Sequence, residues 1–239
     1  MIKKEYILIL ILVAVIFALA IAIVNVGHTE EIESNISDNS SQLIANDTIG
    51  SVEVIKNIGN PDGKRIAYVV GLHPLENQTH RTLVNLLPTL TDLNYCYDIY
   101  IINVSEDIGH YGDGSSDDSP GRQHGQDLAL NYVYPEIVDG DYELAVDVHS
   151  NVGAYPYQTF VFSPVKEGLS VDYAHNVSDN ADNISYYSPE STTSGPYLTI
   201  PLNEHGIPAF YYEEYSFAPQ DVKDAHMMEL IYAVDGLNL

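Results

Sequence analysis

Two histidines in this 239-residue chain directly follow runs that read as buried β-strands. RIAYVVG (65–71), a continuous β-favouring run closed by Gly, leads into Leu72-His73-Pro74-Leu75-Glu76. ELAVDV (143–148) leads into His149-Ser150-Asn151, and IPAFYY (207–212) leads into Glu213-Glu214. In α/β sheets the chemistry gathers beyond the carboxyl ends of the strands, so these segments deliver His and Glu to a shared place. Two imidazoles and one carboxylate with an open fourth position make the ligand set of a catalytic zinc site. Zinc held there brings the pKa of a bound water to about 7 and polarises a carbonyl. A further carboxylate, Glu213 or Glu214, supplies a general base. The spacing His-x-x-Glu selects little by itself, because it recurs at His28/Glu31 and His226/Glu229. Position after a buried strand singles out His73/Glu76.

The elements that must hold these residues follow from periodicity and turn signals. A short strand near Val52–Ile55 precedes the turn Asn60-Pro61-Asp62-Gly63, and Tyr97–Val104 (YDIYIINV) is a further strand. Helical spacing runs through Thr79–Leu90, with Pro88 weakening the last turn. A Gly/Asp/Ser-rich loop is expected from Ser105 to Gly125. Gln158–Phe162 reads as a strand, Val165–Ala181 and part of Pro196–Glu204 as helices, and Gln220–Val234 as a closing amphipathic helix. Strands alternating with helices predict an α/β fold with a mostly parallel or mixed central sheet and helices on both faces.

Charge and composition narrow the setting. The chain carries 9 Lys+Arg against 34 Asp+Glu, a formal charge of −25, which excludes nucleic acid as a partner because phosphate neutralisation needs a basic face. A single Cys, Cys96, closes no internal disulfide and builds no Cys-rich zinc module. Lys3 and Lys4 precede an apolar run over residues 6–24, close to the roughly 20 residues of a membrane-crossing helix. The basic head and the acidic Glu30, Glu31 and Glu33 beyond it predict a cytoplasmic N-terminus and an exported remainder. A cleaved signal peptide is the alternative, giving a secreted protein. Residues 1–28 are thus expected as anchor or signal, 29–50 as a polar tether and 51–239 as the catalytic domain. Asn-x-Ser/Thr sequons at Asn35, Asn39, Asn46, Asn77, Asn103, Asn176 and Asn183 suit a glycan-bearing extracellular surface. Together with the acidity they fit an archaeal cell surface.

The segments GLHPLE, DVHS and IPAFYYE, in that order, resemble the zinc carboxypeptidase superfamily, including its succinylglutamate desuccinylase/aspartoacylase-like branch. The resemblance covers Tyr68 to Glu213 and implies one zinc ion held by His73, Glu76 and His149. It implies Glu213, rather than Glu214, as general base and acid, and Asp147 as the carboxylate behind a ligand imidazole. Arg122, in the loop before GQDLALN, matches the arginine that polarises the substrate oxygen. Tyr197 and Asn131 match positions that contact substrate. The family's second arginine is missing: Asp127 to Tyr132 reads DLALNY. The expectation is a membrane-tethered extracellular zinc hydrolase of an amide or peptide bond, with cell-wall or surface peptides as substrates. An extracellular deacylase of small N-acyl compounds and a non-catalytic zinc-retaining binding module are the alternatives.

Overall fold

The structure, a computed structural model, describes residues 41–105 and 120–239. Its strands are β1 (Gln42–Asn46), β2 (Gly50–Gly59), β3 (Arg65–Val70), β4 (Cys96–Val104), β5 (Tyr142–Asn151), β6 (Phe160–Phe162), β7 (Ser185–Tyr186) and β8 (Ala209–Tyr215). They form one eight-stranded sheet in the order β1-β2-β4-β3-β5-β8-β6-β7. The four central strands, β4, β3, β5 and β8, are parallel. Antiparallel pairs join β2 and β6 to this centre, and β1 pairs antiparallel with β2. A mixed sheet with a parallel core is what the alternating pattern predicts. Strands at the centre of such a sheet are buried on both faces, which explains the unbroken apolar run of β3, where Ile66 to Val70 are all buried.

Helices cover the two faces. Tyr68, Val70, Ile99, Val146, Val148 and Phe210 point into a core closed by α1 (Asn77–Leu86), α4 (Leu169–Asp179) and α6 (Gln220–Asp235). Met227, Leu230, Ile231 and Val234 give α6 its buried stripe at helical spacing. On the other face a rod runs from α2 (Pro120–Leu128) through a π-turn (Ala129–Val133) into α3 (Tyr134–Asp139), with α5 (Thr199–His205) beside it. A row of alanines, Ala67, Ala145 and Ala209, lies in register across the central strands under these helices. Their small side chains leave room for Leu128, Val133 and Leu202.

Several boundaries differ from the sequence reading. The tether does not extend to residue 50, because Gln42–Asn46 pairs along β2 as an edge strand. α1 spans Asn77–Leu86, and Leu87–Thr89 tightens into a 3-10 turn at Pro88. α4 is shorter than Val165–Ala181. The expected membrane-crossing segment at 6–24 and the centre of the Ser105–Gly125 loop lie outside the described residues. Among the described residues no helix is long and apolar enough to cross a membrane.

Candidate metal centre

The site forms where β3, β5 and β8 end. Gly71 leaves β3 with φ +97°, and a side chain there would meet the Ile102 carbonyl at 2.1 Å. That conformation is open to glycine without strain, and it turns the chain toward His73. Pro74 then starts a one-turn 3-10 helix, Pro74–Glu76, closed by the Glu76 N–H on the His73 carbonyl at 3.0 Å. The turn brings Glu76 back to His73, whose Nδ1 lies 3.0 Å from Glu76 Oε1. His149, near the end of β5, places its own Nδ1 2.9 Å from Glu76 Oε2. The Ser150 backbone N–H donates to the same oxygen at 2.9 Å. One candidate ligand atom from each of His73, Glu76 and His149 lies within 4.8 Å of the others. All three residues are buried, at 4%, 4% and 2% exposure.

Electrostatics suit a cation at this point. Burial pushes His73 down to about 3, with Glu76 opposing, so its imidazole is neutral and able to ligate. At His149 burial also works against charge, yet Asp147 and Glu76 outweigh it and hold the imidazole well above its ordinary value. Burial disfavours the Glu76 carboxylate, but His73 and His149 outweigh that effect and keep it well below the usual range. A field that retains a proton on His149 between two carboxylates is one that accommodates a metal ion. Two imidazoles with a carboxylate form a donor set matched to zinc. The residues present therefore fit the ion that the ligand pattern implies. Asp147 Oδ1 lies 3.0 Å from His149 Nε2 as an ion-pair contact, although its angle falls short of a hydrogen bond. It backs the ring as such carboxylates do at metal sites.

Strand register carries the next group in. His149 pairs with Glu213 across β5 and β8, and Glu213 pairs with Phe160 across β8 and β6. Residues paired this way share a face, so Glu213 stands beside His149 while Glu214 points to the opposite side. Glu213 Oε2 is shut off from solvent and has no hydrogen-bond partner. Burial, reinforced by Glu76 and Asp147, pushes this carboxyl up to about 8, with His149 and Arg122 opposing.

Arg122 does not lie in a loop. It belongs to the first turn of α2, whose residues lacked an apolar period to announce a helix. Its Nη2 donates to Thr193 Oγ1 at 3.1 Å, and its Nε is buried without a hydrogen-bond partner. Its charge acts on both His73 and Glu213. α2 can come this close because Gly125 sits on the backbone of β3's exit, where a methyl group would meet the Leu72 carbonyl at 2.2 Å.

Tyr197 and Asn131, which the resemblance implies contact substrate, stand at α2 and its continuation. The Tyr197 hydroxyl donates to Gln123 Oε1 at 3.4 Å on an exposed part of the surface. Asn131 is exposed in the π-turn, nine residues beyond Arg122 and about 14 Å along the rod at 1.5 Å per residue.

Three neighbours escaped the sequence reading. Gln126, one turn after Arg122, lies with its side-chain amide 3.2 Å from His73 Nε2. A Gln at i+4 from a site Arg was the available signal. Tyr211 packs its ring 5.5 Å from His149 and stacks on Phe162 at 4.6 Å, its hydroxyl held by Ser194 and Thr199. Tyr155 packs edge-on against Phe160 at 5.2 Å, and its phenol feels both Glu213 and Arg122. Nothing in the sequence marks that loop tyrosine.

The sequence matches no protein-family profile and no curated protein. Solved structures do resemble it. The tripeptide-bound cell-shape determinant Csd4 of Helicobacter pylori superposes with TM-score 0.52 at 11% identity, over 77% of this chain and 54% of that one. A candidate metallopeptidase from Shewanella denitrificans superposes with TM-score 0.51 at 9% identity, covering 82% of each chain. One from Shewanella baltica gives TM-score 0.51 at 9% identity, over 82% of this chain and 85% of that one. The chain spans about half the length of Csd4. The likeness is one of fold.

Proposed function

We propose that this chain is a zinc-dependent hydrolase of an amide bond in a peptide, acting on cell-wall or surface peptides outside the cell. The observation that carries the reading is the buried meeting of His73, Glu76 and His149, with Glu213 one strand over on the same face. His73, Glu76 and His149 would hold the ion, which when bound acidifies a water and polarises the scissile carbonyl. Glu213 accepts a proton at its buried carboxylate and returns it to the leaving nitrogen. Arg122 presents its unpaired Nε–H to negative charge growing on the carbonyl oxygen. Tyr155 and Phe160 wall the site beside Glu213. Arg65 is paired with Asp98 and Arg81 bonds Asn77, so no second arginine joins Arg122. We therefore infer recognition that does not rest on gripping a substrate carboxylate.

The likeness to Csd4, a tripeptide-binding protein, supports a peptide substrate. The apolar run at 6–24 and the sequons support a tethered, outward-facing enzyme, which protease protection of intact cells would check. The decisive test is metal content and peptide-amide hydrolysis for wild type, His73→Ala and Glu213→Gln. About one zinc per wild-type chain, lost in His73→Ala, is expected, and Glu213→Gln should keep the metal and lose turnover. Wild type without metal overturns the reading. Metal retained with hydrolysis unchanged in Glu213→Gln overturns the role of Glu213.

A further inference from the structure

Lys223 on α6 is among the most deeply buried charged residues, at 2% exposure. Among the described residues no carboxylate lies within ion-pair distance of it. Its ammonium instead donates to Gln78 Oε1 and to the Ser216 carbonyl, each at 2.7 Å. Burial lowers its pKa, and the nearby Glu214 charge opposes that shift. Both acceptors belong to segments that carry the metal centre. Gln78 stands two residues after Glu76. Ser216 stands three after Glu213, and its N–H donates to the Asn151 carbonyl at 2.8 Å, two residues after His149. Its hydroxyl also donates to Ser150 Oγ at 3.1 Å. A cleft of about 630 Å³ opens above this junction, lined by Glu76, Gln78, Ser150, Ser216 and the apolar Leu75 and Phe217.

A buried ammonium with only neutral acceptors is costly, and an apolar side chain of similar length fills such a volume without that cost. What the apolar side chain cannot do is tie Gln78, in the first turn of α1, to Ser216, which follows β8 and itself bonds the end of β5. We propose that Lys223 is a positioning residue of the metal centre, fixing the Glu76 segment against the strand ends that bear His149 and Glu213. This rests on the metal-binding reading above.

The test uses the full chain with cobalt(II) as probe. Cobalt affinity and the visible cobalt spectrum are measured for wild type, Lys223→Met, Lys223→Arg and Gln78→Ala, alongside thermal midpoints of the metal-free proteins. Lys223→Met is expected to bind cobalt about 10- to 100-fold more weakly, the range for residues that orient metal ligands. Its spectrum should change while its metal-free midpoint does not fall. Lys223→Arg, which keeps the donors, should lie nearer wild type. Gln78→Ala removes one acceptor from an exposed residue and should weaken cobalt several-fold with an unchanged midpoint. Lys223→Met with wild-type affinity and spectrum overturns the proposal. If Lys223→Met does not fold, a wild-type cobalt response in Gln78→Ala overturns it instead. Absence of cobalt binding in wild type sinks the metal reading itself, and this proposal with it.

Discussion

Glu213 and Glu214 are adjacent carboxylates on one strand, and their surroundings could hardly differ more. Glu214, at 1% exposure, accepts from Thr159 Oγ1 at 3.0 Å, the Tyr212 hydroxyl at 2.6 Å and the Tyr215 N–H at 2.9 Å. His226 Nδ1 closes the shell at 3.1 Å. Every lone pair facing the interior has a partner, so this carboxylate binds β8 to the β6 side and to α6. Glu213, facing the other way, keeps a buried oxygen without a partner and shares its surroundings with an unpaired Arg122 Nε. A satisfied buried group holds a fold together. An unsatisfied one costs stability and is free to accept a proton. Parity along the strand thus separates a structural acid from a chemical one.

Four measurements would break or sharpen this contrast. Glu213→Gln should lower kcat by about 10²- to 10⁴-fold, the usual range for a general base, while metal content stays constant. Equal activity in the two proteins would erase the distinction. Arg122→Met should lower kcat by about 10²- to 10³-fold with KM little changed, as for loss of an oxyanion donor. A change confined to KM would move Arg122 from the reacting oxygen to ground-state binding.

Glu214→Gln should act on stability instead. It places an amide NH₂ among donors and should cost about 1–3 kcal/mol, read as a lower urea midpoint with the remaining kcat close to wild type. The smallest effect concerns pH in metal-free protein. Glu213 holds a proton up to about pH 8 when folded but only to its ordinary 4.5 when unfolded. Its contribution is complete below pH 4.5 and is lost as pH rises through 8. His73 and His80, pushed down to about 3 and about 4, act oppositely, but only below their ordinary 6.5. Between pH 6.5 and 8, wild-type stability should therefore fall faster than that of Glu213→Gln, by at most about 1.4 kcal/mol per pH unit. His149, whose partners Asp147 and Glu76 remain in both proteins, contributes the same sign to each. Parallel pH profiles would place the Glu213 proton elsewhere.

Much of the site was legible because its residues sit at strand ends. The runs before His73, His149 and Glu213 are continuous and apolar, so their ends locate the groups that follow. Which of Glu213 and Glu214 faces inward depends on the His149–Glu213–Phe160 register, a tertiary fact that alternation alone cannot supply. α2 was illegible for a local reason. Gly121, Gly125 and a run of polar residues hide its helical period, and the π-turn at Ala129–Val133 breaks the 3.6-residue repeat. Arg122 therefore reads as a loop residue, and no apolar period marks Gln126. QLIAN has a polar residue at each end, as an edge strand can, and so reads as tether. Lys223 looked like any lysine on an amphipathic helix, since nothing short of the packed structure reveals that its ammonium is indoors.

The contact between Gly125 and the Leu72 carbonyl has a mechanical meaning. Helix and strand exit meet backbone to backbone, with no side chain between them to compress or repack, so the spacing of α2 above His73 has a hard stop. A single methyl group, as in Gly125→Ala, would act as a shim under a lever. It would raise Arg122 and Gln126 together away from the imidazole they serve, leaving every residue of the site chemically unchanged.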